Sequence, residues 1–139
     1  MRITAHVENG RHQHRVTLAT NDHSHSLRIP PKPDGFGSSV NGGELLFLAL
    51  ATCYCNDLYR EGTKRGIGIE RVEVEVTGDF GVEGAAAMNV TYRARVMART
   101  SEDAIRELMI HTDQVAEIHN TLRTATQVTL SHVEAIPVN

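Results

Sequence analysis

Asn41-Gly42-Gly43-Glu44-Leu45-Leu46-Phe47-Leu48-Ala49-Leu50-Ala51-Thr52-Cys53-Tyr54-Cys55 contains the only long apolar run of the chain and ends in its only two cysteines. From Leu45 to Ala51 there is no two-residue alternation; the segment is rich in Leu and Ala and follows a glycine pair and an acid. That pattern predicts a helix start. A helix apolar on every side has no face to give to water, so it is expected to be wrapped by other elements, with Cys53 inside. After Cys55 the pattern turns amphipathic, and Asn56, Asp57, Arg60 and Glu61 are expected on the wetter side. Gly66-Ile67-Gly68 would end a helix of about Gly43 to Arg65.

Toward the N-terminus, Ile3, Ala5 and Val7 alternate with polar residues, as do Val16 with Leu18 and Leu27 with Ile29. Three short strands in an antiparallel meander are predicted, with turns at Glu8-Asn9-Gly10 and Thr20-Asn21-Asp22. Pro30, Pro31 and Pro33, with the glycines at 35 and 37, form a loop inside the domain. Toward the C-terminus, Val72, Val74 and Val76 alternate with charged residues, and Met88, Val90, Tyr92, Ala94 and Val96 share a face. Together they predict a hairpin. Thr100-Ser101-Glu102-Asp103 carries capping chemistry ahead of Ala104, Ile105, Leu108 and Met109 at helical spacing. A break is expected near His111-Thr112-Asp113, then helix again through Val115, Ile118 and Leu122, and a final strand from Gln127 to Ile136. The order is that of an α+β fold, antiparallel sheets around a long buried central helix, in a single domain over residues 1–139.

The 139 residues carry a formal charge of −3 with acids and bases intermixed, which favours neither nucleic acid nor an anionic membrane surface as partner. The apolar run is shorter than the ~18 residues that suggest a membrane span. The N-terminus alternates like a strand and does not resemble a signal peptide, so a cytoplasmic location is expected. Cys53 and Cys55 are one residue apart on a predicted helix, where ~100° per residue sends them to different faces. They are not expected to pair, which fits a reducing compartment.

A thiol is chemically useful when a cation or a helix N-terminus stabilises its thiolate, and Cys53 is the first candidate. A buried cysteine can equally be a structural residue, and residue type leaves both readings open. His12 with His14, and His23 with His25, would each share a strand face. Without Cys-x-x-Cys or His-Glu-x-x-His they read as solvent-exposed histidines, and neither metal nor cofactor is expected.

The Gly-Gly-Glu44-Leu-Leu-Phe-Leu-Ala-Leu-Ala-Thr-Cys53 segment resembles the central-helix motif of the OsmC-like family, which includes osmotically inducible protein C and organic hydroperoxide resistance protein. The preceding Pro/Gly loop, the Val-Glu-Val-Glu-Val strand and the segment Thr112 to Leu122 continue the resemblance over nearly the whole chain. It implies an intertwined homodimer with active sites at the subunit interface. It also implies hydroperoxide reduction by a peroxidatic cysteine, a resolving cysteine on the C-terminal helix, and an Arg and a Glu that organise the thiolate. Cys53 matches the peroxidatic position, whereas Ala116 stands where the resolving cysteine belongs. Glu44 lies nine residues before Cys53, where the peroxide-reducing branches place the acid ten before, at Gly43 here. Arg11 resembles the family's early Arg, with Arg15 and Arg28 as alternatives. His119, three residues after Ala116, would share its helix face and approach Cys53, as a base, a charge partner or an ordinary interface histidine.

The resemblance implies a one-cysteine, thiol-dependent peroxidase acting in oxidative stress defence, with Cys53, Glu44, Arg11 and His119 at its site and an external thiol as reductant. The alternative is a non-catalytic homodimer that binds a small apolar or electrophilic ligand in its cleft.

Overall fold

The N-terminal strands are β1, Ile3–Gly10, β2, Gln13–Thr20, and β3, His23–Ser26, in an antiparallel sheet of order β1-β2-β3. In this computed structural model, which describes residues 1–138, they belong to the first of two compact units, residues 1–48 and the chain from Ala49 onward. The meander is as expected, but its first turn is Arg11-His12 instead of Glu8-Asn9-Gly10. His12 adopts φ 60°, and the Asn9 amide bonds back to the Gln13 carbonyl at 3.1 Å, which fixes the register Gly10↔Gln13. The third strand also differs: it is His23–Ser26, not Leu27 to Ile29. Asn21 at φ 51° makes a two-residue turn that pairs Thr20 with His23, so β3 ends before Leu27 and the prolines follow. Ile3 and Val7 stay exposed on the face where Val16 is buried.

The proline-rich loop closes on itself through Lys32 N–H to the Gly37 carbonyl at 3.1 Å and Ser39 N–H to the Pro30 carbonyl at 3.0 Å. It leads to α1, Gly42–Lys64. Asn41 Oδ1 accepts the Glu44 N–H at 2.8 Å and Glu44 Oε2 accepts the Asn41 N–H at 3.0 Å, a reciprocal cap on a helix start that would otherwise leave bare donors. At the far end Gly66 turns left-handed at φ 66°. Its N–H reaches the Thr63 carbonyl at 3.1 Å, and the Ile67 N–H reaches that of Gly62 at 2.9 Å.

In the second unit, β4, Ile69–Asp79, and β5, Met88–Ala98, form the expected antiparallel hairpin. Tyr54 and Leu58 of α1 and Leu108 of α2, Glu102–Val115, make the buried core against Ile69, Val72, Val74, Tyr92, Ala94 and Val96. The helix lies so close to the hairpin that a Cβ on Gly62 would come within 2.9 Å of the Ile69 Cδ1. Ser101 caps α2 by accepting the Ala104 N–H at 3.2 Å. A last helix, α3, spans Glu117–Arg123.

Four further expectations need correction. The helical break falls at Ala116, not at His111-Thr112-Asp113. Thr112 Oγ1 donates to the Leu108 carbonyl at 2.8 Å within an unbroken turn, while Ala116 is extended at φ −71°, ψ 111°. Gln127 to Ile136 forms no strand: among the described residues no other strand pairs with it, and a strand without a neighbour has no ladder for its backbone groups. The N-terminal part of α1 is not wrapped, since Leu48 is 56% exposed, and Cys53 is half-buried. Asp57 and Glu61, expected on the wet side, are buried, because each carboxylate has cationic or hydrogen-bonding partners that offset its lost hydration.

Candidate functional site

Cys53 and Asp57 are four residues apart on α1 and therefore share a face. The Cys53 thiol donates to Asp57 Oδ2 across 3.3 Å. The other oxygen, Oδ1, takes an ion pair from Arg60 Nη1 at 2.9 Å. The same nitrogen reaches Glu117 Oε1 at 3.1 Å, and Arg60 Nε reaches Glu61 Oε1 at 2.9 Å. Glu61 is further held by Lys64 Nζ at 2.8 Å and faces His111 Nε2 at 3.2 Å. The extended backbone at Ala116 makes this possible: it ends α2 and restarts the chain as α3, so Glu117 enters as the first residue of a new helix.

Burial pushes the Cys53 thiol up from its ordinary pKa; a backbone hydrogen bond from Ile118 opposes this, while Asp57 and Glu117 reinforce it. Burial likewise raises Asp57, against the pull of the Cys53 hydrogen bond. Glu117 is lowered, first by its own backbone N–H at the start of α3 and also by Arg60. Lys64 and then Arg60 hold Glu61 down at about 2. These raised values favour the thiol that donates to Asp57 over the thiolate. Donor atoms of Cys53, Asp57 and Glu117 lie within 4.8 Å of one another, a spacing that three metal ligands could share. Here the Arg60 guanidinium already supplies the positive charge to both carboxylates, so the cluster reads as an ion-pair network.

His119 is buried at 4% exposure against Tyr54 and Tyr92, with ring centroids 5.9 and 4.8 Å away. Among the described residues neither of its ring nitrogens has a hydrogen-bond partner, and burial lowers its pKa. The continuous helix on which His119 was expected to share a face with Ala116 does not exist, because α3 starts after Ala116. Beside it, the Tyr92 hydroxyl donates to Asp113, which also takes Arg123 Nη2 at 2.7 Å. Glu44 directs its carboxylate to the Asn41 N–H at the start of α1. Arg11 is exposed in the β1–β2 turn. Cys55 lies on a different face from Cys53 and lines a cavity of about 260 Å³ with Ala51, Thr52, Asn56 and Val74.

The structure thus brings to Cys53 two residues that the sequence reading did not select, Asp57 and Glu117. The i, i+4 spacing of Cys53 and Asp57 was visible, but a charged residue on an amphipathic helix reads as solvated unless its partners are known. Glu117 had no comparable signal, since its approach depends on the bend at Ala116.

The family model described as OsmC-like protein matches residues 35–131. The chain belongs to the OsmC-like family. The fold of this OsmC-like protein is similar to that of the OsmC-like protein from Mycoplasma pneumoniae, at 20% identity, with 86% of this chain and 87% of that chain covered and a TM-score of 0.58. It is also similar to the organic hydroperoxide resistance protein OsmC from Legionella pneumophila (18% identity, 88% and 90% covered, TM-score 0.58). A third likeness is to an organic hydroperoxide resistance protein from Elizabethkingia anophelis (21% identity, 88% and 89% covered, TM-score 0.58). None of the curated proteins compared with the chain matches it. Among the described residues no helix is long and apolar enough to cross a membrane.

Proposed function

We propose that this OsmC-like protein is a cytoplasmic homodimer that reduces organic hydroperoxides with one cysteine, Cys53. The observation that carries this reading is the Cys53 sulfur itself, half-buried on α1 and hydrogen-bonded to Asp57 at 3.3 Å; the motif resemblance supports its assignment as the peroxidatic thiol. Two of the structural relatives are organic hydroperoxide resistance proteins, which supports the substrate class.

In the reaction, the ionised sulfur attacks the distal peroxide oxygen. An S–O bond forms, the O–O bond breaks, and the alkoxide leaves with the proton that the thiol gave up. Cys53 is oxidised to a sulfenic acid and the hydroperoxide is reduced to an alcohol. Ala116 offers no second thiol, so two equivalents of an external thiol return the sulfenic acid to the thiol, yielding a disulfide and water. Homodimer formation is supported by apolar residues that a single chain leaves exposed: Ile3, Val7 and Leu48, and Val128, Leu130 and Ile136 near the C-terminus.

The test is consumption of an organic hydroperoxide by the full chain with an added dithiol, expected for the natural protein and absent for Cys53→Ser. Equal consumption by both proteins, or none by either, overturns the proposal. A second reading, a homodimer that binds a small apolar or electrophilic ligand without turnover, is favoured by one observation. Burial and the Asp57 carboxylate both raise the thiol pKa, which disfavours the thiolate that a peroxidase needs. Ligand binding without any hydroperoxide consumption would select it.

A further inference from the structure

Asp57 is 5% exposed, and both its oxygens are committed, Oδ2 to the Cys53 thiol at 3.3 Å and Oδ1 to Arg60 at 2.9 Å. A buried carboxylate costs desolvation, and an apolar side chain of similar size commonly stabilises a helix–helix contact as well or better. Core packing therefore gives little reason for an acid at this place. Its geometry gives one: the carboxylate stands between a sulfur and a guanidinium, one on each oxygen.

We propose that Asp57 is a positioning residue for Cys53: its Oδ2 holds the sulfur as a hydrogen-bonded thiol, while Arg60 on Oδ1 fixes the carboxylate and sets the charge that the sulfur meets. Glu117, the first residue of α3, adds a second negative group within 4.8 Å of the same sulfur. The neighbours act in opposite senses. A carboxylate beside a thiol disfavours its ionisation, and a guanidinium that neutralises that carboxylate favours it. The balance among Asp57, Glu117 and Arg60 thus decides the pH at which Cys53 becomes a nucleophile. This deepens the hydroperoxide reading, and its consequence for peroxide turnover rests on that reading. The control of ionisation can be measured without any peroxide.

The experiment follows the rate of Cys53 alkylation by iodoacetamide against pH, in the full chain with Cys55→Ser so that one thiol is read. Asp57→Asn keeps an acceptor oxygen and removes the charge. It is expected to move the midpoint down by about one pH unit, with alkylation at pH 7 about tenfold faster. Glu117→Gln moves it down by less, and Arg60→Gln moves it up. A purely structural ion-pair network would lower thermal stability in all three and leave the midpoints in place. An unchanged or raised midpoint in Asp57→Asn, or a shift of the same sign in Arg60→Gln and Asp57→Asn, overturns the proposal. If Asp57→Asn fails to fold, the opposite signs of Glu117→Gln and Arg60→Gln, whose side chains are 64% and 39% exposed, decide it. Midpoints that shift as stated in a protein that consumes no hydroperoxide would overturn only the peroxidase reading. Consumption without these shifts would overturn only the role of Asp57.

Discussion

At Cys53, burial and two carboxylates raise the thiol pKa and a backbone hydrogen bond from Ile118 lowers it. The sign has a kinetic consequence. The nucleophile is the thiolate, and a raised thiol pKa leaves little of it at neutral pH, so hydroperoxide consumption should climb about tenfold per pH unit through the neutral and mildly alkaline range. Stopped-flow or colorimetric rates from pH 6 to 9 would check this; a rate already level at pH 7 would mean that the thiol is ionised there. Asp57 shows how one side chain changes meaning with its surroundings. At its helical position alone it is a solvated acid, and with Cys53 and Arg60 on its two oxygens it becomes part of the sulfur's environment.

Each end of α1 is fixed by a different device, the reciprocal Asn41–Glu44 cap at its start and the left-handed Gly66 at its end. Asn41→Ala removes the acceptor for the Glu44 N–H and should cost about 1 kcal/mol, read as a lower midpoint in a denaturant melt with an unchanged slope. Along the same helix Glu61 gathers Lys64, Arg60 and His111 around one carboxylate. Its folded pKa of about 2 lies below the ordinary glutamate range, so the folded state binds fewer protons than the unfolded one. The stability it contributes is fully present above the ordinary glutamate pKa and is lost as pH falls through that range toward about 2. Melting temperatures of Glu61→Gln and the natural protein should therefore converge on acidification and separate above about pH 5. Parallel curves would exclude this role. α3 is the shortest of the helices, yet the bend before it puts Glu117 on Arg60 and lets the His119 ring pack on Tyr54 and Tyr92.

For the molecule as a whole, the apolar residues left in water are the dominant fact. Ile3 and Val7 on the first sheet, Leu48 on α1, and Val128, Leu130, Val133 and Ile136 near the C-terminus have exposures from 56% to 95%. Such surface is expensive in water, and it is what the proposed homodimer would bury. Analytical ultracentrifugation at micromolar concentration should give a dimer. A chain ending after Thr126 should be monomeric or markedly less stable, because the alternating apolar residues that follow are removed. A natural protein that sediments as a monomer would remove the dimer from the proposal.

By itself the sequence determined the α+β order, the central helix and its glycine stop, the β4–β5 hairpin and the family motif around Cys53. These follow from local periodicity, capping chemistry and the positions of glycine and proline, each contained in a few consecutive residues. The first turn was less legible, since His12 takes left-handed backbone that residue type permits without requiring. Only the tertiary structure decided that Asp57 and Glu61 are buried, that the helical break falls at Ala116, and that Glu117 meets Arg60 beside the sulfur. Gln127 to Ile136 fails as a strand within one chain for a related reason: an alternating pattern states a preference for pairing, but a strand exists only where a partner is present. The charge that Cys53 meets comes from residues four and sixty-four positions away in the chain, and the position of the farther one depends on a backbone bend that no local pattern announces.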